Sequence, residues 1–158
     1  MKWETYSIDF WKQRIKEAEG RDLNFIYYQV ETPRWEEIEK VHKEIIEKEK
    51  VEGKILDAGC GHGRISKWFD DYTGVDFSPD LIELGKRENP DKRFIQADLK
   101  KLPFKDKEFD WAICVSMRRM VIRDSGQEEW NKMEKELKRV SKNILILDYS
   151  SLREYTIL

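Results

Sequence analysis

The feature that most constrains this chain lies near its middle: Ile55-Leu56-Asp57-Ala58-Gly59-Cys60-Gly61-His62-Gly63. A short apolar run ends on an acid and opens at once into three alternating glycines. Such a run reads as a strand, and the glycines read as a loop that turns the chain back. Glycine allows backbone angles closed to other residues and lets a ligand approach the main chain. A glycine stretch alone is a weak signal. Here a strand at 54–57 precedes it and a short helix at 64–69 is expected after it, which is the context that gives the motif meaning.

The same alternation continues downstream. Residues 72–76 read as a second strand. Ser78 and Pro79 then cap and start a helix whose buried side is Leu81, Ile82 and Leu84. Residues 93–97 read as a third strand, and 109–115 (FDWAICV) as a fourth, apolar enough for a buried parallel position. A helix over 127–140 turns Trp130, Met133, Leu137 and Val140 inward, and 143–147 is a fifth strand. Strands alternating with helices build a parallel sheet covered on both faces. The expectation is an α/β, Rossmann-like sheet of strand order 3-2-1-4-5, truncated after strand five.

Upstream, Ile8, Trp11, Ile15 and Ala18 recur at helical spacing. Trp35, Ile38, Val41, His42, Ile45 and Ile46 make one face of a helix over about 33–50, which Thr32 and Pro33 can start. Residues 1–50 therefore read as an N-terminal helical cap segment, and 51–158 as the core of a single domain.

Ligands of such sheets bind at the carboxyl ends of the strands. Three acids stand there. Asp57 closes strand one, Asp76 closes strand two 19 residues later, and Asp98 closes strand three. Each has an ordinary alternative: a helix cap for Asp57, a turn before Ser78-Pro79 for Asp76, a loop acid for Asp98. Their joint placement fits one adenosine ligand, with Asp76 on the ribose hydroxyls and Asp98 on the adenine amino group. A dinucleotide fingerprint would put its third glycine at position 64, which is Arg64. A carboxylate at Asp57 also disfavours a pyrophosphate and suits a cationic ligand with an amino group. No Lys-Ser/Thr follows the last glycine, so the P-loop pattern is absent.

Composition narrows the classes further. The 158 residues carry a formal net charge of -2, 39% charged and 12% aromatic residues. That is neither a disordered composition nor a surface coated in positive charge, so nucleic acid is not expected as a partner unless a further subunit supplies the basic patch. Cys60 and Cys114 have no metal-ligand spacing and imply no disulfide framework, and no metal is expected. No apolar stretch reaches the roughly 18 residues of a membrane helix, and Met1-Lys2-Trp3-Glu4 does not read as a signal peptide. A cytoplasmic protein without a membrane partner is expected, and the Lys/Glu-rich, Gln-poor make-up hints at a thermophile.

With these residues in hand, the chain resembles the class I S-adenosylmethionine-dependent methyltransferases. The resemblance rests on residues 55–63, on Gly74-Val75-Asp76-Phe77-Ser78, on Gln96-Ala97-Asp98-Leu99 with Leu102-Pro103-Phe104, and on Phe109-Asp110-Trp111-Ala112. It covers about 51–148. It implies S-adenosylmethionine as cofactor. Asp57 and the loop of Ala58, Gly59, Cys60, Gly61 and Gly63 would line its methionine part. Asp76 would hold the ribose, Phe77 would lie beside the adenine, and Asp98 and the Leu99 amide would read its edge. Val115 and Ser116 would flank the methionine end and face the acceptor.

Two departures stand out. The helix after the glycine loop is about a turn short for the family, and only 149–158 follow strand five, where the family's sheet continues with two more strands. Either this tail, through Tyr155-Thr156-Ile157-Leu158, covers the strand-five edge or two copies pair there as a homodimer.

The reading at this stage is methyl transfer to an oxygen, nitrogen or sulfur atom of a small-molecule acceptor, driven by proximity. Alternatives are an RNA or protein methyltransferase that needs a partner subunit, and a degenerate cofactor-binding member. No residue stands out as a catalytic base. Ser116, Arg118 and Arg119 are the candidates that follow strand four, and the two arginines either bind an acceptor anion or pair with acids such as Asp124. Tyr27, Tyr28 and Trp35 either lid the acceptor pocket or pack in the core. His62 reads as a loop-shaping residue, and His42 and Cys114 as core.

Overall fold

Alternation along the central strands decides which helices cover which face of the sheet. The structure, a computed structural model, describes residues 7–28, 32–148 and 155–158, with the side chains of all of these except 25, 28 and 32–35. The helices are α1 (Ile8–Glu17), α2 (Phe25–Tyr28), α3 (Thr32–Lys48), α4 (Pro79–Glu88), α5 (Met117–Ser125) and α6 (Gln127–Val140). The strands are β1 (Ile55–Ala58), β2 (Tyr72–Asp76), β3 (Arg93–Gln96), β4 (Phe109–Val115), β5 (Ser141–Leu147) and β6 (Tyr155–Ile157).

The sheet order is β3-β2-β1-β4-β5-β6. The first four pairings are parallel, with Leu56 opposite both Thr73 and Ala112. Successive side chains of a strand point to opposite faces. Leu56, Ala112, Cys114, Ile144 and Ile146 therefore pack on one face against Val121 of α5 and Trp130, Met133, Leu137 and Val140 of α6. Ile55, Ile113, Leu145 and Leu147 pack on the other against Val41, Ile45 and Ile46 of α3 and Ile82 of α4. A third cluster joins Trp11 and Ala18 to Ile26 of α2 and to Leu81 and Leu84 of α4. It lays α1 and α2 over the end of the sheet where the acids stand. Ser7 caps α1 and Ser78 caps α4, each accepting a main-chain N–H.

Three expectations need correction. The sheet is not truncated after β5, because β6 pairs antiparallel with it, Leu147 opposite Tyr155 and Leu145 opposite Ile157. The tail thus occupies the edge within the chain, the first of the two solutions expected. The helix expected at 64–69 is a single 3-10 turn, Ser66–Trp68. The chain must travel from the top of β1 to the bottom of β2, and a 3-10 turn rises about 2.0 Å per residue against about 1.5 Å for an α-helix, so it covers more distance with few residues. Finally, α5 was not expected. Its N-cap, Ser116, sits in the left-handed region at φ 59° and makes no capping hydrogen bond with its side chain.

Candidate active site at the strand ends

The glycine loop folds as it does because its main chain is tied to β2. The N–H groups of Gly59 and Cys60 both donate to the Val75 carbonyl, at 2.8 and 2.9 Å. That sharp bend needs left-handed angles, φ 76° at Gly59 and 55° at Gly61. Space demands glycine as well. A Cβ on Gly59 would meet Met117 Sδ at 2.6 Å, and one on Gly61 would meet the Tyr27 hydroxyl at 2.1 Å. Gly63 packs instead against the Phe94 ring.

Above this loop lies a cavity of ≈ 250 Å³. Of the residues singled out in the sequence, Asp57, Gly59, Cys60, Gly61, Asp76, Phe77, Asp98, Leu99, Val115, Ser116 and Tyr27 line it. The carboxyl ends of β1, β2, β3 and β4 thus converge on one space. Ala58 does not line it; its side chain is buried in the core under the sheet.

The three acids differ in environment. Asp57 is 3% exposed, and its Oδ2 accepts a hydrogen bond from the Tyr72 hydroxyl at 2.7 Å. Burial pushes its carboxyl up to about 7, against the opposing pull of the Tyr72 hydrogen bond and the Arg64 charge. Asp76 is also buried. Its two oxygens accept main-chain N–H groups of Gly61 and Ser78, both at 3.0 Å, which resist the upward shift that burial imposes. An ionised carboxylate has about four lone-pair sites, so these two bonds leave capacity for a diol. Asp98 is exposed and accepts the Lys100 N–H at 2.9 Å, with Lys100 Nζ 3.7 Å from its other oxygen.

Tyr27 reaches the loop from α2. The His62 main-chain N–H donates to its hydroxyl at 2.9 Å, and that hydroxyl lies 2.6 Å from His62 Nδ1. The rings stack, 5.5 Å between centroids and 13° between planes. Burial, then the Arg64 charge, pushes His62 down to about 4. Its imidazole is therefore neutral near pH 7, with Nδ1 as acceptor and the Tyr27 hydroxyl as donor. His62 shapes the loop, as expected, by fastening the N-terminal helices to it. The side chains of Tyr28 and Trp35, the other lid candidates, fall outside the described residues.

Arg118 and Arg119 do not line the cavity. Arg118 Nε donates to Asp148 Oδ2 at 2.9 Å, its Nη2 makes a second short contact to the same oxygen, and its Nη1 reaches Thr156 Oγ1 at 3.1 Å. It ties α5 to β6. Arg119 is exposed, and the arginine that pairs with Asp124 is Arg123. Sequence reasoning missed Trp11, Arg64, Ile65, Leu81, Lys100, Met117, Met120 and Met133, which complete the lining. Trp11, Leu81 and Met133 read in the sequence as inward helix positions, and Met117 and Met120 flank the two arginines after strand four.

The structure thus combines a Rossmann-like sheet with a glycine turn after β1 and with acids at the carboxyl ends of β1, β2 and β3. The comparisons with known proteins agree. The family described as "Methyltransferase domain" matches residues 56–144, more than half of the chain. The chain belongs to this class I S-adenosylmethionine-dependent methyltransferase family.

A demethylmenaquinone methyltransferase of Paenarthrobacter aurescens is 31% identical over 118 residues, covering 72% of this chain and 45% of that protein. The crystal structure of a Pyrococcus horikoshii protein superposes with TM-score 0.64 at 28% identity, over 77% of this chain and 61% of that one. A structure titled as SAM-dependent methyltransferases, from Methanosarcina mazei, gives 0.53 at 25%, over 60% and 51%. The chain thus spans less than two thirds of each of these relatives. Among the described residues, no helix is long and apolar enough to cross a membrane.

Proposed function

We propose that this protein binds S-adenosylmethionine at the strand-end cavity and transfers its methyl group to a small, largely apolar acceptor. The observation that carries the reading is the convergence of Asp57, Asp76 and Asp98 with the glycine cradle on one cavity. The residues fit the group: a main-chain cradle that a Cβ would fill, a buried carboxylate for a diol, and a second for an ammonium.

S-adenosylmethionine supplies, when bound, a methyl carbon on a sulfonium, an electrophile with a good leaving group. The chain's own part is to hold and align. Asp76 accepts hydrogen bonds from the two ribose hydroxyls. Phe77 and Leu99 border the adenine, and Asp98 takes its amino group. Asp57 would hold the ammonium of the methionine part, and Val115 and Ser116 would flank it on the acceptor side. No histidine or glutamate is among the described lining residues. Alignment and exclusion of water would then supply the rate, with the acceptor atom arriving as a competent nucleophile.

An apolar acceptor is favoured by the β4 side of the cavity, where Met117, Met120 and Met133 stand and neither Arg118 nor Arg119 reaches. Relatives named as a demethylmenaquinone methyltransferase, a fatty-acid O-methyltransferase and a sterol 4-C-methyltransferase are consistent with it. The test is S-adenosylhomocysteine formation with panels of quinols, fatty acids and sterols, against RNA and protein fractions. Turnover with an apolar panel member supports the reading. Turnover confined to RNA or protein would refute the acceptor class.

A further inference from the structure

We propose that α5 is a gate on the acceptor side of the cavity, hinged at Ser116 and Gly126 and latched by Arg118 on Asp148 and Thr156. Such a gate controls how an acceptor reaches the β4 end, which rests on the reading of the cavity as a transferase site. α5 contributes Met117 and Met120 to the cavity wall. Met120 also packs against the cluster of Trp11, Ile26 and Leu81, so α5 meets the N-terminal helices beside the cavity.

Both ends of α5 have the backbone of a hinge. Ser116 holds a left-handed conformation, φ 59°, which is costly for any residue with a Cβ, and its side chain makes no capping hydrogen bond. At the other end Gly126 stands at φ 94° and ψ 166°, a region reserved for glycine, with open space beside it. A moving element needs a few terminal residues that absorb large changes of φ and ψ. Between these ends the helix is shallowly docked. Val121 is its one buried residue, with Met117 and Ile122 partly buried against the same core. The neighbouring α6 buries Trp130, Met133, Leu137 and Val140. Burial of apolar surface is the main force holding a helix on a sheet, so α5 lifts at a lower cost than α6.

The latch supplies what burial does not. Arg118 makes two contacts to Asp148 Oδ2 and a third, at 3.1 Å, to Thr156 Oγ1. These pin the first turn of α5 to the residue after β5 and to β6. The latch is incomplete, because Asp148 Oδ1 is shielded from solvent and has no hydrogen-bond partner. An unpaired carboxylate oxygen and a left-handed serine are both costs of the docked helix, and both are relieved when it lifts. The opposite side of the cavity is fastened differently: Tyr27 is bonded to the glycine loop through the main-chain N–H and Nδ1 of His62. α5 is therefore the side that moves. Lifting it carries Met117 and Met120 outward and bares the β4 end, and redocking shields the transfer from water.

The test is hydrogen–deuterium exchange on the full chain, with S-adenosylhomocysteine titration and peroxide oxidation beside it. In the unaltered protein the amides of α5 should exchange together, at least about tenfold faster than those of α6. Arg118→Met should speed α5 by about a further tenfold, the size expected for lost charge-assisted hydrogen bonds, and Arg118→Lys by less. S-adenosylhomocysteine affinity should stay within about twofold. Met133 lines the cavity from α6 and is only 6% exposed, so its sulfur reports access to the interior. Its oxidation by hydrogen peroxide should speed in Arg118→Met in step with α5 exchange. Equal exchange of α5 and α6 in the unaltered protein would overturn the proposal. So would an equal rise in both helices in Arg118→Met, or faster α5 exchange with Met133 oxidation unchanged. If the unaltered protein does not bind S-adenosylhomocysteine, the cofactor reading fails instead, and exchange and oxidation still decide whether α5 opens the cavity.

Discussion

The two sides of the cavity are built on different principles. The β1–β2 side is charged, buried and hydrogen-bonded: Asp57 on Tyr72, Asp76 on two main-chain N–H groups, Arg64 on His42, and Tyr27 on His62. The β4 side is apolar and adaptable, a wall of Val115 with Met117, Met120 and Met133. Methionine has several rotatable bonds and fills irregular space at small cost. On the proposed function, the contrast separates two tasks: the cofactor would be read by fixed polar groups, and the acceptor would be met by a surface that can repack.

Substitutions on the polar side should therefore cost far more cofactor affinity than those on the apolar side. The largest loss is expected for Asp76→Ala, about a hundredfold in the dissociation constant, since two charge-assisted hydrogen bonds disappear. Calorimetric titration with S-adenosylhomocysteine measures it, and a loss below tenfold would take the ribose away from Asp76.

Next come the two loop glycines, each of which faces one side. Gly61→Ala puts a Cβ 2.1 Å from the Tyr27 hydroxyl at a φ of +55°. It should lower stability by about 2 kcal/mol or more, because left-handed strain adds to the loss of the Tyr27 bridge. Gly59→Ala meets the Met117 thioether, which can swing away, so its cost should be limited to about 1–2 kcal/mol of backbone strain. Thermal melts of the pair compare them directly. Equal losses would mean that the two sides are equally rigid.

The third prediction uses pH. Asp57 is raised from 3.8 to about 7, so the folded chain holds this proton more tightly than the unfolded chain does. Its contribution to stability is full below the usual carboxylate range and is lost as pH rises toward 7. A cationic ligand favours the ionised form, so binding at pH 6 should release close to one proton, and binding well above pH 7 almost none. Affinity should rise by about tenfold across that window. Titrations in buffers of different ionisation enthalpy count the protons, and Asp57→Asn should abolish the release.

The smallest effects on binding belong to the far end of the apolar side. Arg118→Met should leave cofactor affinity within about twofold and lower stability by roughly 1–2 kcal/mol, because Asp148 loses its partner in a largely buried pair. A large loss of affinity instead would return Arg118 to the site.

β1, β2, β3 and β5 were legible in the sequence to within two residues, because their apolar runs stop at acids or glycines, and β4 because its run is nearly continuously apolar. The polar side of the site was legible for the same reason: Asp57, Gly59, Gly61 and Asp76 sit at those stops. The apolar side was not. Met133 reads as an inward helix position and Met117 and Met120 as part of the segment after strand four, and only packing turns all three toward the cavity. Nor was α5 legible: its N-cap, Ser116, stands in the left-handed region, and its side chain makes no capping hydrogen bond. Tyr72 is a similar case. As the first residue of β2 it looks like sheet core, yet its hydroxyl sits on the Asp57 carboxylate one strand away. Contacts across strands depend on register, and register is set by the whole sheet.

The most direct test of the account is a calorimetric titration of the unaltered protein with S-adenosylmethionine, with S-adenosylhomocysteine and NAD in parallel. The account predicts one site per chain, micromolar binding of both adenosyl ligands and none of NAD. Absence of binding by either adenosyl ligand would contradict it, and tight binding of NAD would assign the cavity to a different ligand.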